Sequence, residues 1–257
     1  MSRATPSGTW KLTLAALAAC LALPSSAAAQ GGPGFLFGDP DIMIGFKAGY
    51  SMPRAGSDLF FETATEFTID RDDFRSASLG GEIAVRVSER WDVALGVAYA
   101  ASRIQSEYVD YYEPGPDPET ELPIVQETWF RTVPVTVSGK YYFTDRGRSI
   151  GRFAWIPNRV SPFVIGGLGV VSYRFEQTGD FVNYETLDIA FDRASATGTA
   201  PYVHGGAGVQ LSLSKNLVLT GEARYGWASG DLSRDYQGYE NLDLAGLQLL
   251  AGIAARF

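Results

Sequence analysis

Any chemistry in this chain has to be built from few reactive side chains. His204 is the only histidine and Cys20 the only cysteine among 257 residues. A histidine supports acyl transfer or hydrolysis when a Ser, Asp or Glu lies within hydrogen-bond reach. The polar residues nearest His204 in sequence are Thr199 and Gln210, which make no triad, while Glu222 on the next predicted strand could orient the ring. A metal site would rest on the same single imidazole. The expectation is a buried, hydrogen-bonded histidine, with no catalytic residue, no cofactor and no resident metal.

Carboxylates are plentiful by contrast, and the net charge is −8. They fall in four stretches: Asp58, Glu62, Glu66, Asp70, Asp72 and Asp73; Glu107, Asp110, Glu113, Asp117, Glu119 and Glu121; Asp180, Glu185, Asp188 and Asp192; and Asp231, Asp235 and Glu240. Oxygen clusters suit divalent cations such as Ca²⁺ or a cationic partner, and a solvated, repulsive surface is the plainer reading. Asp70-Arg71-Asp72-Asp73 lacks the glycine and distal glutamate of an EF-hand loop. An acidic balance argues against nucleic acid as a partner.

The elements that must position these residues read as strands. Period-two alternation recurs over about 42–50, 78–87, 91–101, 129–143, 163–175, 202–213, 217–227 and 247–257. One face of each is apolar, for example Ile44, Phe46, Ala48 and Tyr50, and Arg131 alone breaks it. The other face mixes Gly and Ala with Lys47, Glu82, Arg86, Asp92, Lys140, Arg174, His204, Glu222, Arg224 and Arg256. Small residues suit the inside of a narrow barrel, and a charge at mid-bilayer on the outside costs roughly 2–4 kcal/mol. The apolar face is therefore expected to meet lipid. A lumen network of Lys47, Glu82, Arg86, Lys140, Arg174, His204, Glu222 and Arg224 is expected inside, with Glu82 and Glu222 bridged by Arg86, Arg224, Lys47 or Lys140. Arg131 is expected at the rim. Eight strands leave a lumen just filled by side chains, so free solute passage is not expected.

Aromatics are expected to form two interfacial girdles, one from Trp91, Phe143, Phe163 and Phe257, the other from Tyr50, Tyr99, Trp129, Tyr173, Phe175, Tyr225 and Trp227. Long outward loops are placed at about 51–77, 102–128, 176–201 and 228–243. The basic connection 144–162 is long for a turn and is read as a hairpin on the inner leaflet. Pro134 suggests a bulge. Residues 1–29 read as a cleaved secretory signal, with Leu17-Ala18-Ala19-Cys20 as a rival lipobox. Residues 30–41 form a Gly- and Pro-rich lead-in, and 42–257 the barrel.

The stretches Val133 to Phe143 and Pro162 to Val170, with a last strand ending on Phe257, resemble the small outer-membrane β-barrels of the OmpA/OmpX type. The resemblance implies an all-β fold: a closed antiparallel up-and-down transmembrane β-barrel of about eight strands. It also implies residence in the outer membrane of a Gram-negative-type bacterium, outer-membrane lipid as surroundings and a monomer. Leu249, Ala251, Ile253, Ala255 and Phe257 match the signal that the barrel-assembly machinery reads in that family. The activity implied is non-enzymatic: surface structure, adhesion, or cation or partner binding at the acidic loops. A barrel enzyme acting on lipid A or peptides and a narrow small-solute pore are the alternatives.

Overall fold

The computed structural model describes residues 34–36, 38–114, 121–150, 154–183, 186 and 188–257. The expected signal 1–29, including Cys20, lies outside them, as do Asp117, Glu119 and Glu185. Eight antiparallel strands close a ring in the order of the chain: β1 (Ile42–Pro53), β2 (Ser76–Arg86), β3 (Trp91–Pro114), β4 (Glu121–Tyr142), β7 (Val160–Val182), β8 (Ile189–Ser212), β9 (Leu217–Trp227) and β12 (Gly246–Arg256). The last strand pairs back onto the first from Met43↔Arg256 to Pro53↔Gly246, so no edge is left in the ring. Short pairs fill the connections: β5 (Gly147–Ile150) with β6 (Ala154–Pro157), and β10 (Ser229–Gly230) with β11 (Leu242–Asp243).

Alternation fixes which side chains point where. Ile44, Phe46, Leu79, Ile83, Leu95, Val135, Val137, Leu168 and Ile253 are exposed on the outside, whereas Lys47, Glu82, Lys140, Glu222 and Arg224 are buried within. Small residues make room for the inward rings. A Cβ on Gly208, which pairs with Phe163, would lie 2.5 Å from that ring's Cζ.

The strands are of two lengths. Strands β1, β2, β9 and β12 have 11 or 12 residues, about what a bilayer crossing needs. The neighbours β3, β4, β7 and β8 run for 22 to 24 residues. The stretches 102–128 and 176–201 are thus largely strand rather than loop, and they carry half of the barrel outward as a curved wall. Against its concave side pack the β1–β2 connection, with helix α1 (Asp58–Glu66) and the 3₁₀ turn Arg71–Phe74, and the β9–β12 connection with the 3₁₀ turn Arg234–Tyr236. Their shared core holds Leu59, Phe60, Phe67, Phe74, Phe130, Phe175, Tyr236 and Leu242. Phe60 meets Phe74, Phe130 and Phe175 edge-to-face at 4.8–5.5 Å. The outer end is therefore a folded cap.

Two local expectations change. Pro134 sits in unbroken register with Val171, and the irregularity in β3–β4 falls between Glu107 and Tyr112. The described residues of the 144–162 connection form a hairpin, β5 with β6, and its β6 side packs at the barrel mouth. Trp155 is buried there, paired with Leu36 through two backbone hydrogen bonds of 2.9 Å and covered by the Arg256 guanidinium at 5.3 Å.

Candidate functional site

At mid-barrel the inward side chains form one ion-pair cluster. Lys47 Nζ donates to Glu82 Oε2 at 2.7 Å and to Glu222 Oε2 at 2.9 Å. Arg224 Nη2 donates to the same Glu82 oxygen at 2.9 Å. Lys140 also meets Glu82, and Arg224 also meets Glu222. Five residues from β1, β2, β4 and β9 thus converge across the lumen, three cations against two carboxylates. Ionised groups taken out of water persist only when paired in this way. The space left beside them is a cavity of about 30 Å³, next to Tyr202 and His204, roughly the share of one liquid water molecule.

His204 is buried and sits 3.0 Å through Nε2 from Ser138 Oγ, stacked on Tyr202 with centroids 5.9 Å apart. Ser138 is the partner that sequence distance concealed: the β4–β7–β8 register sets Ser138 and His204 on either side of Gly167, whose missing side chain lets the two meet. Neither Thr199 nor Glu222 is hydrogen-bonded to the ring, and Gln210 donates instead to Tyr142 Oη at 2.8 Å. Below this cluster a second layer joins Asp92 to Arg146 Nη1 (2.8 Å) and Tyr142 Oη (3.1 Å). Arg256 donates to Ser212 Oγ at 2.7 Å. A cavity of about 240 Å³ lies at this end, lined by residues including Asp39, Arg86, Arg146, Trp155 and Arg256.

Two residues expected in the network are elsewhere. Arg86 lies at the turn end and pairs with Asp39 at 2.9 Å, too far along β2 to reach Glu82 or Glu222. Arg174 is on the outside. Strand β7 is apolar on both faces, so alternation could not select its phase. Phe163, Ile165, Tyr173 and Phe175 point inward and are buried, which turns Arg174 out. For the same reason Phe163, Tyr173 and Phe175 drop out of the girdles. Trp91, Phe143 and Phe257 at one level and Tyr50, Tyr99 and Trp227 at the other remain exposed on the outside.

No family model matches the sequence, and no curated protein matches it. Similar solved structures include the outer membrane protein OprG from Pseudomonas aeruginosa, at 15% identity and TM-score 0.45, covering 88% of this chain and 99% of that one. A major outer membrane protein from Thermus thermophilus gives 13% identity and TM-score 0.46, covering 86% and 100%. Neisserial surface protein A gives 15% and 0.42, covering 84% and 96%. A closed ring of eight strands, greasy outside and charged inside, decides the architecture independently. The fold is that of a small outer-membrane β-barrel.

The barrel's acidic connections are partly committed to holding the cap together. Asp243 accepts from Arg54 Nε at 2.7 Å, Glu62 accepts from Tyr239 Oη at 2.7 Å, and Asp58 accepts from the Glu240 amide at 2.8 Å. Asp70 and Asp73 form a capping box around the 3₁₀ turn. Among the described residues no group of three or more carboxylates, histidines or cysteines could hold a metal ion. Burial, together with the carboxylates nearby, pushes the phenols of Tyr236 and Tyr239 well above their usual range.

Proposed function

We propose that this protein is a non-conducting, non-enzymatic barrel of the outer membrane whose work is done at its outward face. The observation that carries the reading is that the lumen is filled twice, by the Lys47–Glu82–Lys140–Glu222–Arg224 cluster at mid-height and by the aromatic cap above it. A solute path would have to disperse both. His204 and Ser138 lie inside the packed lumen, out of reach of a lipid or peptide substrate, which favours a structural role for the pair over catalysis.

The outer wall supports the location. Between Tyr141 and Arg131, β4 rises roughly 33 Å along its axis, or about 25 Å of height at a tilt of about 40°, which matches the apolar band of outer-membrane barrels. On this reading residues 1–29 direct secretion. The barrel-assembly machinery reads Leu249, Ala251, Ile253, Ala255 and Phe257, and the barrel works as a monomer. Exposed Asp70, Asp72 and Asp73 on the cap present negative charge to a divalent cation or a cationic partner at the cell surface.

The test is direct. The protein from the outer-membrane fraction should migrate differently on a denaturing gel before and after boiling, and should stay silent in planar bilayers. Identical migration would remove the membrane barrel, and regular conductance steps would remove the plug.

A further inference from the structure

The outward-facing Arg174 leads to a surface feature that the plugged-barrel reading leaves unused. On the convex side of the β3–β4–β7–β8 wall, Trp129 is surrounded by three guanidinium groups: Arg174 at 5.0 Å, and Arg103 and Arg131 at 5.5 Å each from the indole centroid. A fourth, Arg193, joins through Glu176, which it meets at 2.7 Å and which also pairs with Arg174 at 2.6 Å. Glu127 faces Arg103 at 3.3 Å. Four cations therefore stand against two carboxylates on the wall of a protein whose net charge is −8.

The register makes this stranger. Arg131 and Arg174 are directly opposite each other across the β4–β7 ladder. Like charges at such a pair are destabilising unless something lies between them. Arg131 has no carboxylate partner among the described residues, and its Nε is buried without a hydrogen-bond partner.

The height is equally specific. Towards the turn end, the same outer face continues as Val133, Val135 and Val137 on β4 and Val170 and Leu168 on β7. The arginines sit where that apolar band ends. An anion bound here would have a phosphate at the arginines and hydrocarbon against the valines.

We propose that this patch binds the phosphate-bearing headgroup of a membrane amphiphile, with the forks of Arg131 and Arg174 on the phosphate and Arg103, Arg193 and Trp129 around it. Guanidinium matches phosphate geometry through paired hydrogen bonds. The ring face of Trp129 holds the guanidinium planes by cation–π attraction. The proposal rests on the membrane reading above, and one experiment separates the two.

The full-length protein is inserted into phosphatidylcholine nanodiscs doped with phosphatidic acid, and lipid retention is followed by native mass spectrometry. Phosphatidic acid should be retained in preference to phosphatidylcholine. Arg131→Gln with Arg174→Gln should weaken that retention by roughly tenfold or more, while Arg148→Gln at the opposite end should not. Arg131→Lys, which keeps the charge but loses the fork, should fall between. The gel shift on boiling shows that each variant still forms the barrel. If the double variant does not form it, the single variants Arg103→Gln and Arg193→Gln should each weaken retention, and their failure to do so overturns the proposal. Insertion without a phosphate preference, or equal retention by wild type and double variant, overturns the headgroup site and leaves the membrane barrel standing. Displacement of the lipid by inorganic phosphate at equal concentration overturns the amphiphile in favour of a free-anion site. Failure to insert at all overturns both readings.

Discussion

Glu82 is the residue on which the plug turns, because Lys47, Lys140 and Arg224 all meet its carboxylate. Removing one partner of a buried ion pair leaves the others uncompensated, at a cost of about 3–5 kcal/mol. Glu82→Gln should therefore lower the urea midpoint for loss of the gel-shifted form by that equivalent, although it changes only one atom's chemistry. Replacing Glu82 and Lys140 together by Leu and Met should cost much less, since apolar pairs of similar volume often substitute for ion pairs without loss. Equal losses would show that packing rather than charge holds the plug. In the cap the sign runs through the tyrosines. Tyr236 Oη donates to the Ala194 carbonyl at 3.2 Å, and Tyr239 Oη donates to Glu62. Both phenols are held neutral in the folded cap, above the ordinary value of 10.0. Above pH 10 the opened cap therefore sheds protons that the folded cap keeps, and stability falls as pH rises. Amide exchange around Phe60 and Phe74 should accelerate above pH 10, and should do so less in the Tyr236→Phe, Tyr239→Phe variant.

At the scale of elements, the cap is held by packing more than by its carboxylates. Phe60 is completely buried, and replacing such a ring by alanine costs about 3–5 kcal/mol. Helix α1 has nine residues, too few to persist without tertiary support. Phe60→Ala should expose Arg71 and Arg75 to trypsin while the barrel keeps its gel shift; a variant as resistant as wild type would mean that α1 is fixed by other contacts. The sequence revealed less here than in the membrane band. Strands show themselves where one face meets lipid and the other does not, and that contrast disappears above the bilayer. In β3 beyond Ala101, the inward face mixes Ser102 and Ser106 with Ile104 and Tyr108 while Arg103, Gln105 and Glu107 point out, so the apolar signal is diluted and the segment reads as loop. In β7 the contrast fails the other way, with Phe163 and Ile165 inside and Val164 and Leu168 outside. That single ambiguity misplaced Arg174. The partners of Glu82 could be anticipated because lumen charges have few places to go. Ser138 beside His204 could not, because alternation says which face a residue takes but nothing of how far along the lumen two strands are staggered.

At the scale of the molecule, the proposed non-conducting barrel would be closed twice over. A permeating ion crosses the cap and the plug in series, so the barrier that remains sets the current when the other is removed. Each layer has its own stabilisation: the cap is an aromatic core built on the long half of the wall, while the plug is a set of ion pairs within the ring. Phe60→Ala alone should therefore stay silent in planar bilayers, since the cluster at mid-height still fills the lumen. Trimming the plug with Glu82→Ala, Lys140→Ala and Arg224→Ala, which removes charge without leaving an unmatched partner at Glu82, should also stay silent while the cap is folded. Combining the two sets should give conductance steps, with each variant first shown by its gel shift to be a formed barrel. If the cap variant alone conducts, the plug is permeable and mid-lumen packing is not the barrier. If the plug variant alone conducts, the cap opens readily, and the outward loops gate the lumen instead of sealing it.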